Sequence, residues 1–463
     1  MKLGHGKGER KMRMKKCCFV ALFALAVLCL AAPGTAATWY VTQDGAGNED
    51  GSSWANAGKN LKDVMEATDA GDEIWVVAGT YSPGSNKTDT FLLKKGVKVY
   101  GGFAGTETDL DQRNWVDNKT TLHGGGVNYH VVTGEPGADN GARLDGFTVT
   151  GGSANGSDPD KAAERSGGGM YNNNSSPTVA NCTFSGNTAG DGGGMFNGNS
   201  SPMVENCDFS GNTVKYEGGG MENNNSSPMV VNCTFSGNTA AYGGGMFNNN
   251  SSPTVESCDF SGNTAEYEGG GMRNHKKSRP TVANCTFSVN TAAYGGGMFN
   301  NNSSPTVESC DFSGNTAEYE GGGMRNHKKS RPTVANCTFS VNTAAYGGGM
   351  YNANSSLTVA NCVFSGNTTD SGGGMFNDNS SPTVESCDFS GNTANTGGGM
   401  FNGNSSSPIV VNCTFSGNSA RFYDGGGMEN NNSSPILVNC TFSGNTATKS
   451  GGGMYNYDSS PTV

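Results

Sequence analysis

Apolar side chains recur in this chain at a fixed interval. Val179, Cys182, Phe184 and Met195 stand among serine, threonine, asparagine and glycine, and the same four types return at Val204, Cys207, Phe209 and Met221. Residues 176–197 show no helical period, and Gly and Asn punctuate them too often for a helix. Three short strands are predicted instead: Pro177 to Ala180, Cys182 to Phe184, and Gly194 to Phe196. Cys182 and Phe184 are two apart and share a face of one strand. Val179 can share that face only if the chain bends at Asn181, a residue type that tolerates left-handed backbone angles. Further corners are expected at Ser185-Gly186-Asn187 and at the loop from Asn172 to Ser176. Three strands and three corners make one triangular coil of a parallel β-helix.

The unit repeats. Twelve copies of Gly-Gly-Gly-Met place Met at 170, 195, 221, 246, 272, 298, 324, 350, 375, 400, 428 and 454, with spacings of 25 to 28 residues. Such a period is the signature of a solenoid. Coils about 4.8 Å apart put the twelve over about 55 Å. Valine, cysteine, phenylalanine and methionine form the inward ladder. Corner asparagines such as Asn187, Asn212 and Asn238 are expected to stack as an amide ladder, satisfying identical polar groups coil by coil. The residue after each cysteine alternates Thr183, Asp208, Thr234, Asp259, Thr286, Asp311, Thr338, which spaces the carboxylates two coils apart. Residues 239–298 recur without change at 291–350, the product of a duplication.

Residues 38–166 lack the repeat. Strands are expected at Trp39–Thr42, Asp72–Val77, Val97–Tyr100, His130–Val132 and Leu144–Val149. A short amphipathic helix is expected within 61–70, with Leu61, Val64, Met65 and Ala67 on one side. It is read as a cap over the open end of the solenoid, where exposed edges would recruit other chains. The chain stops at Val463 as a further coil begins, so a C-terminal continuation is expected. The organisation is thus 1–37, 38–166 and 167–463.

The first segment reads as a Sec signal peptide. Seven basic residues precede an apolar run from Cys17 to Ala32, and small residues follow near Ala36 and Ala37. The whole chain has 29 basic and 40 acidic residues; without the seven basic residues and Glu9 of the leader the net charge is −17. That balance argues against nucleic acid and against anionic membrane surfaces. Hydrophobic residues make up only 34% and glycines number 73. A globular domain would need more apolar side chains, whereas a thin linear core does not.

Phe-x-x-Asn (Phe184 to Asn187, Phe209 to Asn212, Phe235 to Asn238) followed by Gly-Gly-x-Met resembles the repeats of chlamydial polymorphic outer-membrane proteins. Those pair Phe-x-x-Asn with Gly-Gly-Ala-Ile-like tetrads. Trp39–Val41, Gly71 to Trp75 and Tyr100 to Glu107 look like the N-terminal part of bacterial extracellular right-handed β-helix proteins. The resemblance covers nearly all of 38–463 and implies secretion, surface display and often adhesion. The autotransporter barrel of the chlamydial group is absent from this sequence, so membrane anchoring is expected only through a missing C-terminal region.

Several residues are candidates for chemistry. The residue after each repeat Met is expected to point outward, and eight of the twelve are aromatic: Tyr171, Phe196, Phe247, Phe299, Tyr351, Phe376, Phe401 and Tyr455. An exposed aromatic stripe on a flat sheet suits stacking on sugars or on a partner surface. Strand propensity accounts for the same residues without a ligand. The eleven cysteines from Cys182 to Cys440 recur once per coil, with no Cys-x-x-Cys spacing, and read as a buried thiol ladder. Asn274 to Arg279 and its copy Asn326 to Arg331 are basic corner loops that suit either an anionic glycan or plain solvent. Asp44, Asn48 and Asp50 have oxygen ligands of the kind calcium takes, or form a solvated turn. His123, His130, Arg143 and Asp145 are the one untidy group. The acids of the repeats fall at periodic positions, unlike the local cluster that glycosidases and lyases need.

The expectation is an all-β, right-handed parallel β-helix solenoid of about 25–26 residues per coil with a small N-terminal helical cap. It is expected to be a monomeric secreted or cell-surface (outer-membrane) adhesin or stalk binding an extracellular glycan or host protein, without cofactor, metal or catalytic residues. A pectin-lyase-like polysaccharide lyase or hydrolase and a ligand-free spacer are the alternatives.

Overall fold

In a computed structural model, which describes residues 36–156 and 161–463, each coil contributes strands to three long parallel sheets. The Sec leader expected at 1–37 therefore lies almost wholly outside the described residues. Among them no helix is long and apolar enough to cross a membrane.

The sheets are distinguished by what they send inward. The valine sheet has 15 strands, from Thr38–Val41 to Ile436–Val438. The phenylalanine sheet has 14, from Gly79–Tyr81 to Thr441–Ser443. The methionine sheet has 14, from Phe91–Leu93 to Met454–Tyr457. The chain is thus an all-β solenoid of about 15 turns. Like pairs with like: Val204 with Val230, Phe209 with Phe235, Met221 with Met246.

A fourth strand departs from the expected triangle. Thr188–Ala189 and its equivalents form a seven-stranded and a three-stranded parallel sheet between the phenylalanine and methionine sheets. Six of these ten strands are two residues long and the others four or five, with no alternation of period two to announce them. The corners behave as their residue types predict. Asn174 and Asn181 have φ of 54° and 52°, and Gly186 has φ of 63°.

One apolar cluster runs from Val41 to Leu437. Eleven phenylalanine rings, Phe184 through Phe442, stack with centroids 4.7–5.0 Å apart and planes within 3–5°. Burying each such side chain contributes roughly 2–3 kcal/mol. The eleven thiols are all free, ten of them buried and Cys440 half-buried. Each is held by backbone: Cys258 Sγ donates to Glu256 O at 3.2 Å and accepts from Cys233 N at 3.4 Å. Burial pushes the Cys207 thiol well above its ordinary range.

The amide ladder forms as predicted and has a twin. Asn187 Nδ2 donates to Asn212 Oδ1 and Asn212 Nδ2 to Asn238 Oδ1, at 3.1 and 3.0 Å. A second buried ladder runs through Asn172, Asn197, Asn223 and Asn248 at 2.9–3.0 Å, just after the methionines. The loop expected from Asn172 to Ser176 begins later, because Asn172 belongs to the strand Met170–Asn173. Asn172 lies on the inward face two residues beyond Met170, where strand alternation places it.

In the non-repeated region, α1 spans Leu61–Ala67, with Leu61 and Met65 in the main core and Asn60 Oδ1 accepting from Lys62 N. It packs against Phe91–Leu93 and the first two strands of the valine sheet. Strands at 79–81, 91–93 and 120–123 carry turns that the sequence pattern did not reveal.

Candidate functional site

The glycine triplet sets the outer chemistry of every coil. Its first glycine takes positive φ, as at Gly243 (65°) and Gly269 (71°). A Cβ on Gly243 would stand 2.6 Å from Met246 O and 2.9 Å from Phe247 Cβ, so only glycine allows the turn. The turn folds the residue four before each Met toward the residue just after it. Two outer columns result, and coil-to-coil register is kept in both. One reads Phe196, Glu222, Phe247, Arg273, Phe299, Arg325, Tyr351. The other reads Glu217, Tyr242, Glu268, Tyr294, Glu320, Tyr346.

This arrangement corrects the exposed aromatic stripe. Of Tyr171, Phe196, Phe247, Phe299, Tyr351, Phe376, Phe401 and Tyr455, none is exposed, and Phe247, Phe299 and Tyr351 are buried. Side chains of both columns pack on several of them, as Tyr346 does on Phe376. Arg273 lies 4.6 Å from the Tyr242 ring and 4.9 Å from that of Phe247, held by Glu268 at 2.6 Å. Arg325 repeats this over Tyr294 and Phe299, held by Glu320 at 2.5 Å. Tyr171 stacks on Phe196, and Phe376 on Phe401 at 4.6 Å, while Tyr455 lies beside Glu429 in the sheet. Alternation along a strand predicted the outward direction but could not see the neighbouring chain folding over it.

The expected regularity of the acids also fails, in two coils. Where Arg273 faces Glu268, the equivalent pair two coils earlier is Glu222 and Glu217; near the other end it is Glu429 and Asp424. Glu222 lines a cleft of about 480 Å³ together with Glu217, Asp191, Arg165, Tyr216 and Tyr242. Burial pushes the Glu222 carboxyl well above its usual range, and Asp191 and Glu217 add to the rise. Burial likewise raises Glu217 and Asp191, the latter opposed by Arg165 at 3.5 Å. Glu429 is pushed up to about 7 by burial and then by Asp424, with its Oε2 accepting from Thr396 Oγ1. Comparing the positions four before and one after each Met would have revealed these pairs.

A larger groove, about 700 Å³, crosses the outer face of the phenylalanine sheet. Its lining includes Asn181, Asp208, Asn232 and Thr234 from three coils, together with Lys119 and Trp115, the latter 38% exposed. Arg113 sits 4.7 Å from the Trp115 ring and pairs with buried Asp145 at 2.8 Å. Asp145 also receives Arg143 at 2.8 Å and Asn181 Nδ2 at 2.9 Å. The supposed untidy group therefore divides. Arg143 and Asp145 brace the groove from behind, His123 is exposed, and His130 stacks on Tyr171 at 4.7 Å. Burial holds the His130 imidazole at about 4, so it is neutral at pH 7. In the loop of Asp44, Asn48 and Asp50, Asp50 accepts from Ser52 N. Among the described residues no three Asp, Glu, His or Cys side chains gather as metal ligands. The basic loops carry consecutive positive φ angles at Lys276 and Lys277, and again at Lys328 and Lys329.

The model of the right-handed beta helix region matches residues 140–266, 223–374 and 342–463, which together span well over half the chain. The chain belongs to that family. No curated protein matches it. Among solved structures, pectate lyase Pel9A is 16% identical over 82% of this chain and 78% of its own, with a TM-score of 0.32. Tailspike protein 3 of bacteriophage CBA120 is 11% identical over 91% of this chain and 61% of its own, with a TM-score of 0.40. PfbA, a surface adhesin of Streptococcus pneumoniae, is 10% identical over 86% and 87%, with a TM-score of 0.27. At such values these likenesses choose no activity.

Proposed function

We propose that this protein is a secreted or surface-displayed β-helix rod that binds glycan through the groove at Trp115. The observation that carries the reading is the groove's make-up. An exposed indole lines it together with polar Asn181, Asp208, Asn232 and Thr234. Aromatic faces stack on the apolar side of a sugar ring, while amides, hydroxyls and carboxylates meet its hydroxyls. Successive coils repeat the polar lining along the sheet, which suits a linear chain of sugars better than a compact ligand. The acidic leader-free chain favours a neutral or cationic glycan over a polyanion. In this reading α1 covers the open end of the rod, and export follows from the N-terminal leader.

A glycan array probed with the leader-free chain tests the proposal. Binding to extended polysaccharides, lost on Trp115→Ala with the circular dichroism unchanged, is expected. An array without hits would leave the rod as a spacer, and hits indifferent to Trp115 would overturn the assignment of glycan binding to this groove. Polysaccharide hydrolase or lyase action is checked in the same samples by new reducing ends or unsaturated products.

A further inference from the structure

Glu222 occupies a place that the fold elsewhere fills with a guanidinium. In the coils of Arg273 and Arg325 the residue after Met is cationic, its partner four before Met is a glutamate, and aromatic rings lie below and beside it. The coil of Glu222 keeps the acid, Glu217, and one ring of the coil below, Phe196; Asp191 stands where the coils below Arg273 and Arg325 have Tyr242 and Tyr294, and Tyr242 lines the cleft from the coil above. It lacks the cation. Its own side chain adds a second carboxyl, and Asp191 in the coil below adds a third, paired with Arg165, which lines the same cleft.

The cleft is open, and two of its buried polar atoms are unpaired, Glu222 Oε2 and Arg165 Nε. Glu222 is 3% exposed, and its Oε2 has no hydrogen-bond partner. Leaving a buried carboxyl oxygen unpaired is costly, a cost a ligand donor removes. Aromatic walls around carboxylates suit an organic cation, whose charge they stabilise without demanding the short oxygen cage of a metal.

We propose that the cleft of Asp191, Glu217 and Glu222 binds a guanidinium or primary ammonium group supplied from outside the chain, in the position that Arg273 and Arg325 fill from within. Phe196 and Tyr242 flank the cation, and Glu217 and Glu222 accept its N–H donors. An amino sugar and a basic side chain of a partner protein both carry this chemistry. The site is distinct from the Trp115 groove and stands whether or not that groove binds glycan.

The test is calorimetric titration of the leader-free chain at constant ionic strength with methylguanidinium, methylammonium, glucosamine, N-acetylglucosamine and calcium. Saturable binding of the organic cations is expected, with at least a tenfold loss in Glu222→Gln. N-Acetylglucosamine lacks the ammonium and is expected not to bind. Glucosamine binding more tightly than methylammonium points to an amino sugar as source; methylguanidinium binding tightest points to an arginine side chain. Glu222→Arg supplies the missing cation in cis. It is expected to abolish binding while raising the urea midpoint, by forming with Glu217 the pair seen at Arg273 and Glu268. Retained circular dichroism in both variants separates loss of the site from loss of fold. Absence of saturable binding, binding unchanged in Glu222→Gln, or calcium preferred over every organic cation would each overturn the proposal.

Discussion

Asn263 offers the sharpest test of how the rod holds together. Its side chain is wholly buried and makes four hydrogen bonds. Nδ2 donates to Phe235 O at 2.7 Å and to Asn290 Oδ1 at 3.0 Å. Oδ1 accepts from Asn238 N and from Asn238 Nδ2, both at 3.0 Å. In Asn263→Ala two of the partners keep another bond: Asn238 Nδ2 retains Phe209 O, and Asn290 Oδ1 retains the Asn263 backbone N–H. Asn238 N and Phe235 O lose the partner the ladder gave them. Two buried backbone groups at about 1–3 kcal/mol each give a cost of about 2–6 kcal/mol. Asn263→Asp keeps the shape but removes both donors and adds a buried charge, so it is expected to cost at least as much at pH 7. Because each coil contacts only its neighbours, the damage is local. Native-state hydrogen exchange is therefore the assay, and the Asn238 amide is expected to lose protection by at least a factor of 30. A change in urea midpoint equivalent to less than about 0.5 kcal/mol, with Asn238 still protected, would refute the claim that the ladder stabilises the rod.

Four further outcomes are expected. Val289 and Val341 hold φ of 55° and 56° where other coils place glycine, so Val289→Gly and Val341→Gly should each stabilise by about 1 kcal/mol in urea melts. Gly270→Ala would put a Cβ 2.5 Å from Gly296 O and is expected to cost about 3 kcal/mol or more, whereas Gly237→Ala meets no atom within 4 Å and pays only its left-handed strain of about 1–2 kcal/mol. Glu429, near 7 in the folded chain against an ordinary 4.5, binds its proton more tightly when folded. Its contribution is complete below pH 4.5 and is lost as pH rises through about 7, so urea midpoints should fall across that window and Glu429→Gln should flatten the fall. A thiol reagent added to native protein should modify Cys440 first and leave the ten buried thiols until unfolding.

The period of valine, cysteine, phenylalanine and methionine determined the solenoid, its coil length, its buried thiols and the Asn187 amide ladder, because each of these depends only on residues meeting their own equivalents one coil away. Register supplies such contacts automatically. The contacts of Arg273 with Tyr242 and Glu268, the Glu217–Glu222 cleft and the groove at Trp115 join residues of different columns or of non-repeating coils. Their meeting depends on how the first glycine of the triplet turns the chain and on which loop reaches over which sheet. Strand alternation tells a side chain's direction, outward or inward; only the packed structure decides whether something already lies there.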